Sequence, residues 1–552
     1  MEAQGPSPPL NQGGWITFPF FIATMAGLTL AVGGWSNNII VYLIEEFNFK
    51  SVDAAQIANI INGCINLFPI VGAIFADSFL GSFVVVIISS SLSLVGVMLL
   101  TLTAILDPLK PPSCESGSSS CRQPSKPQLF VLYTSLASIG AAGTRFTLAT
   151  MGADQFNNTN HQGVFFNWHF FTFYAATLIS VVGIIYVEDK VSWALGFGLC
   201  VLANLFALVI FVLGKRYYRF LKPQGSPFTR LACVIVAAFQ KRNVLLSSKL
   251  EDYYQEPQER QNKMVETITS PSNNFKFLNR AALIKVRDNN LTSGIKKPWN
   301  ICTLQQVEDL KTLIRISPLW STGILLCTPI AIQISLIVLQ ALAMDRHLGA
   351  NFQIPAGSMI VFVMITTSIT LAIIDRFLIP MWQKVFGRSL TPLQRIGLGH
   401  VLTISSMGVS ALVESKRHNA AQSHKLTGNS VAPISVLWLV PQLVLVGAAE
   451  AFHFPGQVSL YYQEFPKSLK STAAAMVALF IGIAFYLGAA MVDLMRKTTE
   501  WLPNGINDGR MDNVYWALTV IGIVNFGYYL VCAWLYKYQN FEKAEHSESN
   551  SS

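Results

Sequence analysis

Two stretches of the chain put ionisable side chains among residues that offer no water. Residues 136–156 read LASIGAAGTRFTLATMGADQF, with Arg145 inside a run of small and apolar residues. A guanidinium stays charged and presents a fork of donors that matches a planar oxyanion, so Arg145 is a candidate anion site. The small residues before it, Thr144 among them, leave room around its head group. The competing reading is an arginine that reaches the interface or pairs with a fixed carboxylate. Residues 443–462 read LVLVGAAEAFHFPGQVSLYY, where Glu450, His453, Gln457 and Tyr461 follow at i, i+3, i+7 and i+11. That spacing holds one face of a helix and draws a polar stripe along it. Histidine titrates near neutrality, so Glu450 and His453 are candidate proton-titrating residues, set against a packing histidine and a structural acid. Pro455 removes one backbone hydrogen bond and marks a hinge in the same helix.

The elements that position these residues follow from composition. The chain has 552 residues, 52% hydrophobic and 12% charged, about half the charge of an ordinary soluble domain. Runs such as FVVVIISSSLSLVGVMLLTLTAIL at 83–106 recur throughout, each about the 20 residues that a helix needs to cross a bilayer. They are continuous rather than alternating, which argues against a barrel. Twelve spans are expected, near 16–44, 54–76, 83–106, 128–152, 165–186, 191–214, 315–341, 356–379, 396–414, 433–462, 469–494 and 513–537. The division is then an N-terminal six-helix bundle at 1–214, a linker at 215–314, and a C-terminal six-helix bundle with its tail at 315–552. The MEAQGPSPPLNQGG start lacks the basic region and cleavage site of a signal peptide, so the first span is expected to stay as an anchor.

Net charge is +9. No nucleic-acid motif accompanies it, and the excess fits basic loops on the cytoplasmic side. The linker, with GKRYYRFLK, QKRN and IKKP, belongs on that side, together with both termini and the acidic, serine-rich tail. Its segment SPFTRLACVIVAAFQKR at 226–242 is too short to cross and suits a helix lying along the interface. Residues 415–432, SKRHNAAQSHKLTGNSVA, then fall on the opposite side and break the charge trend. Most acids, namely Glu45, Glu46, Asp77, Asp107, Glu188 and Asp375, sit at span ends. The single amides Asn37, Asn38, Gln333 and Gln340 read as joints between helices. An internal echo links GAIFADSFLG after the second span, with Asp77 and Gly81 as a tight hinge, to AIIDRFLIP after the eighth. Eight cysteines show no CxxC and no metal-ligand spacing. Cys114 and Cys121 share one short loop and are either bridged or free. No nucleophile elbow, P-loop or metal cluster marks an enzyme, and nothing calls for a cofactor.

Longer motifs carry a resemblance. FPIVGAIFADSFLG (68–81), GADQF (152–156), FFNWHFF (165–171), FKFLNRAAL (275–283), PWNICTLQQVEDLKTLIRISPLW (298–320), IPAGS (354–358) and PLQRIGLGH (392–400) resemble the plant nitrate/peptide transporter family, a proton-dependent oligopeptide branch of the major facilitator superfamily. GGWITFPF, VYLIEEFN, AEAFHFPG and DNVYW look closest to its nitrate-excretion group. The resemblance implies an all-α membrane protein of the major facilitator fold, twelve helices in two halves, with substrate bound between them. It also singles out Asn167 as a substrate contact.

The departures from that pattern are informative. The family's ExxER motif on the first span, linked to proton coupling, falls at Met25, Ala26, Gly27, Leu28 and Thr29, with both acids and the arginine gone. The family's lysine on the fourth span is Arg145, and the glutamate expected opposite it on the tenth is Ser459. Glu450 lies nine residues earlier, roughly 13 Å along a helix. The expectation is a carrier of a small monovalent anion, nitrate or else chloride, bound by Arg145 with Thr144, Asn167, Gln457, Ser459 and Tyr461. The proton route is altered or absent, the direction is efflux, and the membrane is the plasma membrane. A carrier of larger organic solutes and a non-transporting sensor on the same fold stand as alternatives.

Overall fold

In a bilayer each backbone amide must be satisfied within its own segment, so continuous apolar runs become helices. The computed structural model describes residues 12–112, 122–140, 145–156, 159–220, 227–247, 252–254, 274–284, 299–349, 352–387, 390–464 and 473–536. Eleven helices among them are long and apolar enough to cross a membrane. The N-terminal half holds α1 (Phe18–Glu45), α2 (Ser51–Phe75), α3 (Ser82–Ile105), α4 (Lys126–Gly140), α5 (Arg145–Ala153), α6 (Thr159–Ile179), α7 (Ile185–Lys190) and α8 (Trp193–Leu213). Together α4 and α5 make the twelfth span, and a π-helical turn at Ser180–Ile184 joins α6 to α7. After α9 (Pro227–Gln240), the other half holds α10 (Leu304–Leu342), α11 (Ile360–Ile373), α12 (Ile379–Phe386), α13 (Pro392–Ser423), α14 (Val440–Glu464), α15 (Ala473–Thr498) and α16 (Met511–Leu535). The fold is all-α, with twelve spans in two six-helix halves.

The internal echo has a backbone counterpart. A five-residue π turn closes α2 at Ala76–Leu80 and another joins α11 to α12 at Ile374–Leu378. Each contains the echoed acid, Asp77 or Asp375, whose side chain lies outside the description. Gly81 follows the first turn at φ +76 in open space, so backbone conformation rather than crowding selects glycine there.

Two boundaries differ from expectation. The helix α10 begins at Leu304, behind a capping box of Thr303 and Gln306, about three turns before the expected edge. Its extension carries the linker: Cys233, Val234, Ala237 and Ala238 of α9 pack with Leu278, Ala281, Cys302, Val307 and Leu310. Buried Lys241 donates to the carbonyls of Ala281 at 3.2 Å and Leu283 at 2.7 Å. Ile235 and Phe239, on the other side of α9, are exposed. The second difference is α13, which runs to Ser423 and takes in half of the stretch expected as a basic loop. Arg417 there is fully buried against Glu414 at 2.7 Å and donates to Asn507 Oδ1 at 2.6 Å. Lys416 lies 3.2 Å above the Trp438 ring. These cations are held by protein, which explains why the stretch breaks the charge trend of free loops.

The two halves are clasped at the end away from the linker, called distal below. Asp53 of α2 pairs with Arg496 of α15, and Asn429 Nδ2 donates to Ser51 Oγ at 3.3 Å. Lys190 reaches Gln353 Oε1 at 2.6 Å, and Ser358 Oγ donates to the Val181 carbonyl at 2.9 Å. One level deeper, Ser335 bonds Asn59, and Cys64 meets the Tyr486 hydroxyl at 2.9 Å.

Two measurements check these assignments. Arg417→Ala leaves Glu414 buried without its cation, and a loss of about 3–5 kcal/mol is expected in detergent denaturation. The double variant Glu414→Gln with Arg417→Met should recover most of it. Outside the spans, burial pushes the Cys302 thiol up to about 11, with Cys233 adding to the rise. Little thiolate exists at pH 7.5, so maleimide should label Cys302 far more slowly in the native protein than after denaturation.

Candidate functional site

Arg145 opens α5, which packs on α1, α2, α3 and α6. Its backbone is therefore anchored inside the N-terminal half. The side chains of Arg145, Asn167 and Asp77 are outside the description, and Thr144, Cys114 and Cys121 are outside the described residues. The contacts expected of them remain sequence inferences.

The helix α14 is continuous through Pro455. Its stripe divides between two roles. His453 is fully buried, with Nε2 3.8 Å from Cys327 Sγ of α10 and no partner for Nδ1 among the described residues. Gln457, one turn on, is 2% exposed and lies over Gly323 of the same helix. A Cβ at position 323 would stand 2.3 Å from Gln457 Nε2, so this close approach requires glycine. Both residues thus face α10. Glu450 is half-buried and has no hydrogen-bond or ion-pair partner among the described residues. Ser459 is half-buried, and Tyr461 is buried with its ring 6.1 Å from Phe480.

The structure adds residues that the sequence reading passed over. His400 of α13 is buried, its ring 6.2 Å from His453 and stacked on Tyr529 at 4.5 Å. It belongs to the quoted PLQRIGLGH motif, but a lone histidine gives no sign of a partner three helices away. Glu188 is not a solvated span end: it is 2% exposed and accepts a hydrogen bond from Asn38 Nδ2 at 3.0 Å. Gln333 and Gln340 do act as joints, donating from α10 to Ser410 and Glu414 of α13 at 2.7 Å each. Of the positions where the resemblance sets the family's proton-coupling motif, Met25, Leu28 and Thr29 are 4%, 6% and 7% exposed. Among the described residues no three metal-ligand side chains gather.

Comparisons with known proteins agree on one family. The model of the POT family matches residues 83–508. The Arabidopsis thaliana protein named NRT1/ PTR FAMILY 2.7 is 54% identical over 540 residues, 97% of this chain and 95% of that protein. NRT1/ PTR FAMILY 2.6 of the same plant is 52% identical over 541 residues, 98% of this chain and 95% of that protein. An auto inhibited POT family peptide transporter superposes with a TM-score of 0.67 at 14% identity, covering 95% of this chain and 97% of that one. The POT family transporter PepTSo gives 0.65 at 14% identity, covering 94% and 98%. At such identities the solved structures share the fold.

The Gly323–Gln457 contact can be measured directly. Gly323→Ala should cost about 1–3 kcal/mol by crowding the amide. In a Gln457→Ala background the same change should cost almost nothing, and the double-mutant cycle on thermal stability reads the difference.

Proposed function

The chain is a membrane transporter of the POT family, and from that premise we propose that its cargo is a small monovalent anion, nitrate first and chloride as the nearest alternative. Arg145 is the anion site, the halves alternate access to it, and net movement is efflux across the plasma membrane. The observation that carries this reading is Ser459, which stands on α14 where the family resemblance expects the acid that answers the span-four cation. Without that acid the transported anion neutralises Arg145, and a cavity of positive potential repels cations. Positions 25–29 hold no titratable side chain, and Met25, Leu28 and Thr29 are buried, which supports a proton route that is altered or absent, with Glu450 and His453 as the replacement candidates.

Direction follows from charge. A negative interior drives an anion outward by about 2.3 kcal/mol per 100 mV. Efflux then needs no coupled ion. An organic cargo has one supporting observation: solved neighbours are peptide transporters, and one POT family structure holds 5-aminolevulinic acid. Such a zwitterion wants an acid for its amino end, which this chain has lost at position 459.

Reconstituted protein tests the reading, with voltage and pH gradient set independently. Nitrate flux driven by voltage alone is expected, and Arg145→Ala should lower it by at least about tenfold, the loss of one charge-assisted contact. Equal flux in the variant removes Arg145 from the site. Flux only under a pH gradient shifts coupling to Glu450 and His453. Peptide flux that competes with nitrate favours the organic reading, and binding without flux favours a sensor.

A further inference from the structure

Glu188 is a buried carboxyl in a space built for it. It lies at the distal end of α7, behind Gly196 of α8, where a Cβ would stand 2.1 Å from Glu188 Cγ. Its Oε2 accepts from Asn38 Nδ2 at 3.0 Å. Its Oε1 has no partner among the described residues, and neither has Asn38 Oδ1. Both residues are within 2% of full burial. The pair therefore holds two orphaned acceptors and lacks one donor. A proton on Oε1 supplies that donor and removes a charge that one neutral amide cannot solvate. The other titratable and charged groups around it do not offer a cation in contact. They are Asp189 and Lys190 on its own helix, Cys200 on α8, Glu45 at the end of α1, and Arg346, whose guanidinium is 3.9 Å from Asp189.

The same pair lies under the clasp between the halves. Gly357 of the C-terminal half presses on it so closely that a Cβ there would be 2.8 Å from Asn38 Oδ1 and 2.7 Å from the Asn37 carbonyl. Next to it, Ser358 bonds the Val181 carbonyl in the π turn that precedes α7. Separating the halves at the distal end would lift Gly357 from Asn38 and Ser358 from Val181, and so would take the cover off the Asn38 side of the pair.

We propose that Glu188 is a proton-binding site read from the distal side, which must take up a proton for the distal end to close and gives it back to the same side on opening. The proton goes from distal water to Oε1 and returns there, so none crosses the membrane. The site is a latch on conformation and not a coupling route. This rests on alternating access, as proposed above, but not on the identity of the cargo.

The test reads conformation without any substrate. Spin labels at Asp107→Cys and Lys425→Cys, exposed positions on the distal loops of the two halves, report the separation of that end. They are placed in full-length protein with Cys114 and Cys121 replaced by serine. At fixed linker-side pH, raising distal pH should move the population toward the open distal end, by up to about tenfold per pH unit for one linked proton. Glu188→Gln should abolish the response and stay closed. Two results overturn the proposal: a Glu188→Gln protein that responds like the parent, or a parent that responds equally to linker-side pH. The second needs no variant, so misfolding of Glu188→Gln leaves the idea exposed. A failure of nitrate flux with an intact distal pH response would instead count against the cargo and not against the latch.

Discussion

A charge inside a helical bundle in lipid must be answered by something, and the fold is organised around how each one is answered. Arg417 is met by Glu414, by Asn507 and, through Glu414, by Gln340. That network ties α10 to α13 and fixes the loop that precedes α16. Glu188 is met by one amide, and Glu450 by nothing among the described residues. The three cases form a series. A fully paired ion contributes rigidity. A half-answered acid binds a proton or waits for a conformational change. An unanswered one belongs to a water-filled or substrate-filled space.

The clasp between the halves follows the opposite rule. Its members are single polar contacts such as Asp53 with Arg496, Asn429 with Ser51, and Ser358 with the Val181 carbonyl. Of these only Asp53 with Arg496 is an ion pair, partly exposed, and such pairs contribute on the order of 0–1 kcal/mol. Beneath them one apolar cluster runs through both halves, from Trp35, Tyr42 and Leu136 to Leu336, Val363 and Val514, so no single polar contact holds the halves together.

Much of this was legible in the sequence, for physical reasons. Continuous apolar runs bounded by charge fixed the spans, since backbone in lipid leaves few options. The echo of Asp77 and Asp375 was visible because an acid before a tight turn is rare in an apolar chain. Ends were less legible: α10 and α13 continue past the apolar edge because Val307 and Leu310 pack under the linker and Arg417 finds a buried acid. Hydropathy counts Arg417 as a loop residue whether or not Glu414 lies one turn away. Glu188 does sit at a span end, as expected, but its burial was not legible for the same reason. Position along a span says how near a group is to the interface, and only packing says whether water reaches it. His453 was found by its spacing, but its neighbours Cys327 and His400 come from other helices and leave no local signal.

The absence of acids on α1 at positions 25–29 and on α14 at position 459, where the family resemblance sets them, also bears on energetics. A carrier that moves an anion with a proton needs a titratable group that meets water on both sides in turn. Glu188 as proposed does not qualify, because its proton would enter and leave on the distal side. On the functions proposed above, Arg145 as the anion site and Glu188 as a distal latch would keep the two tasks separate: membrane voltage would supply the work, and distal acidity would set how often the distal end opens. Coupling would tie each anion to a proton and spend the proton gradient on a movement that voltage already favours. Under that proposal, separating drive from control would give acid-sensitive efflux without that cost, and a chain so built has no need of titratable residues at positions 25, 28 and 29, which are packed as ordinary core.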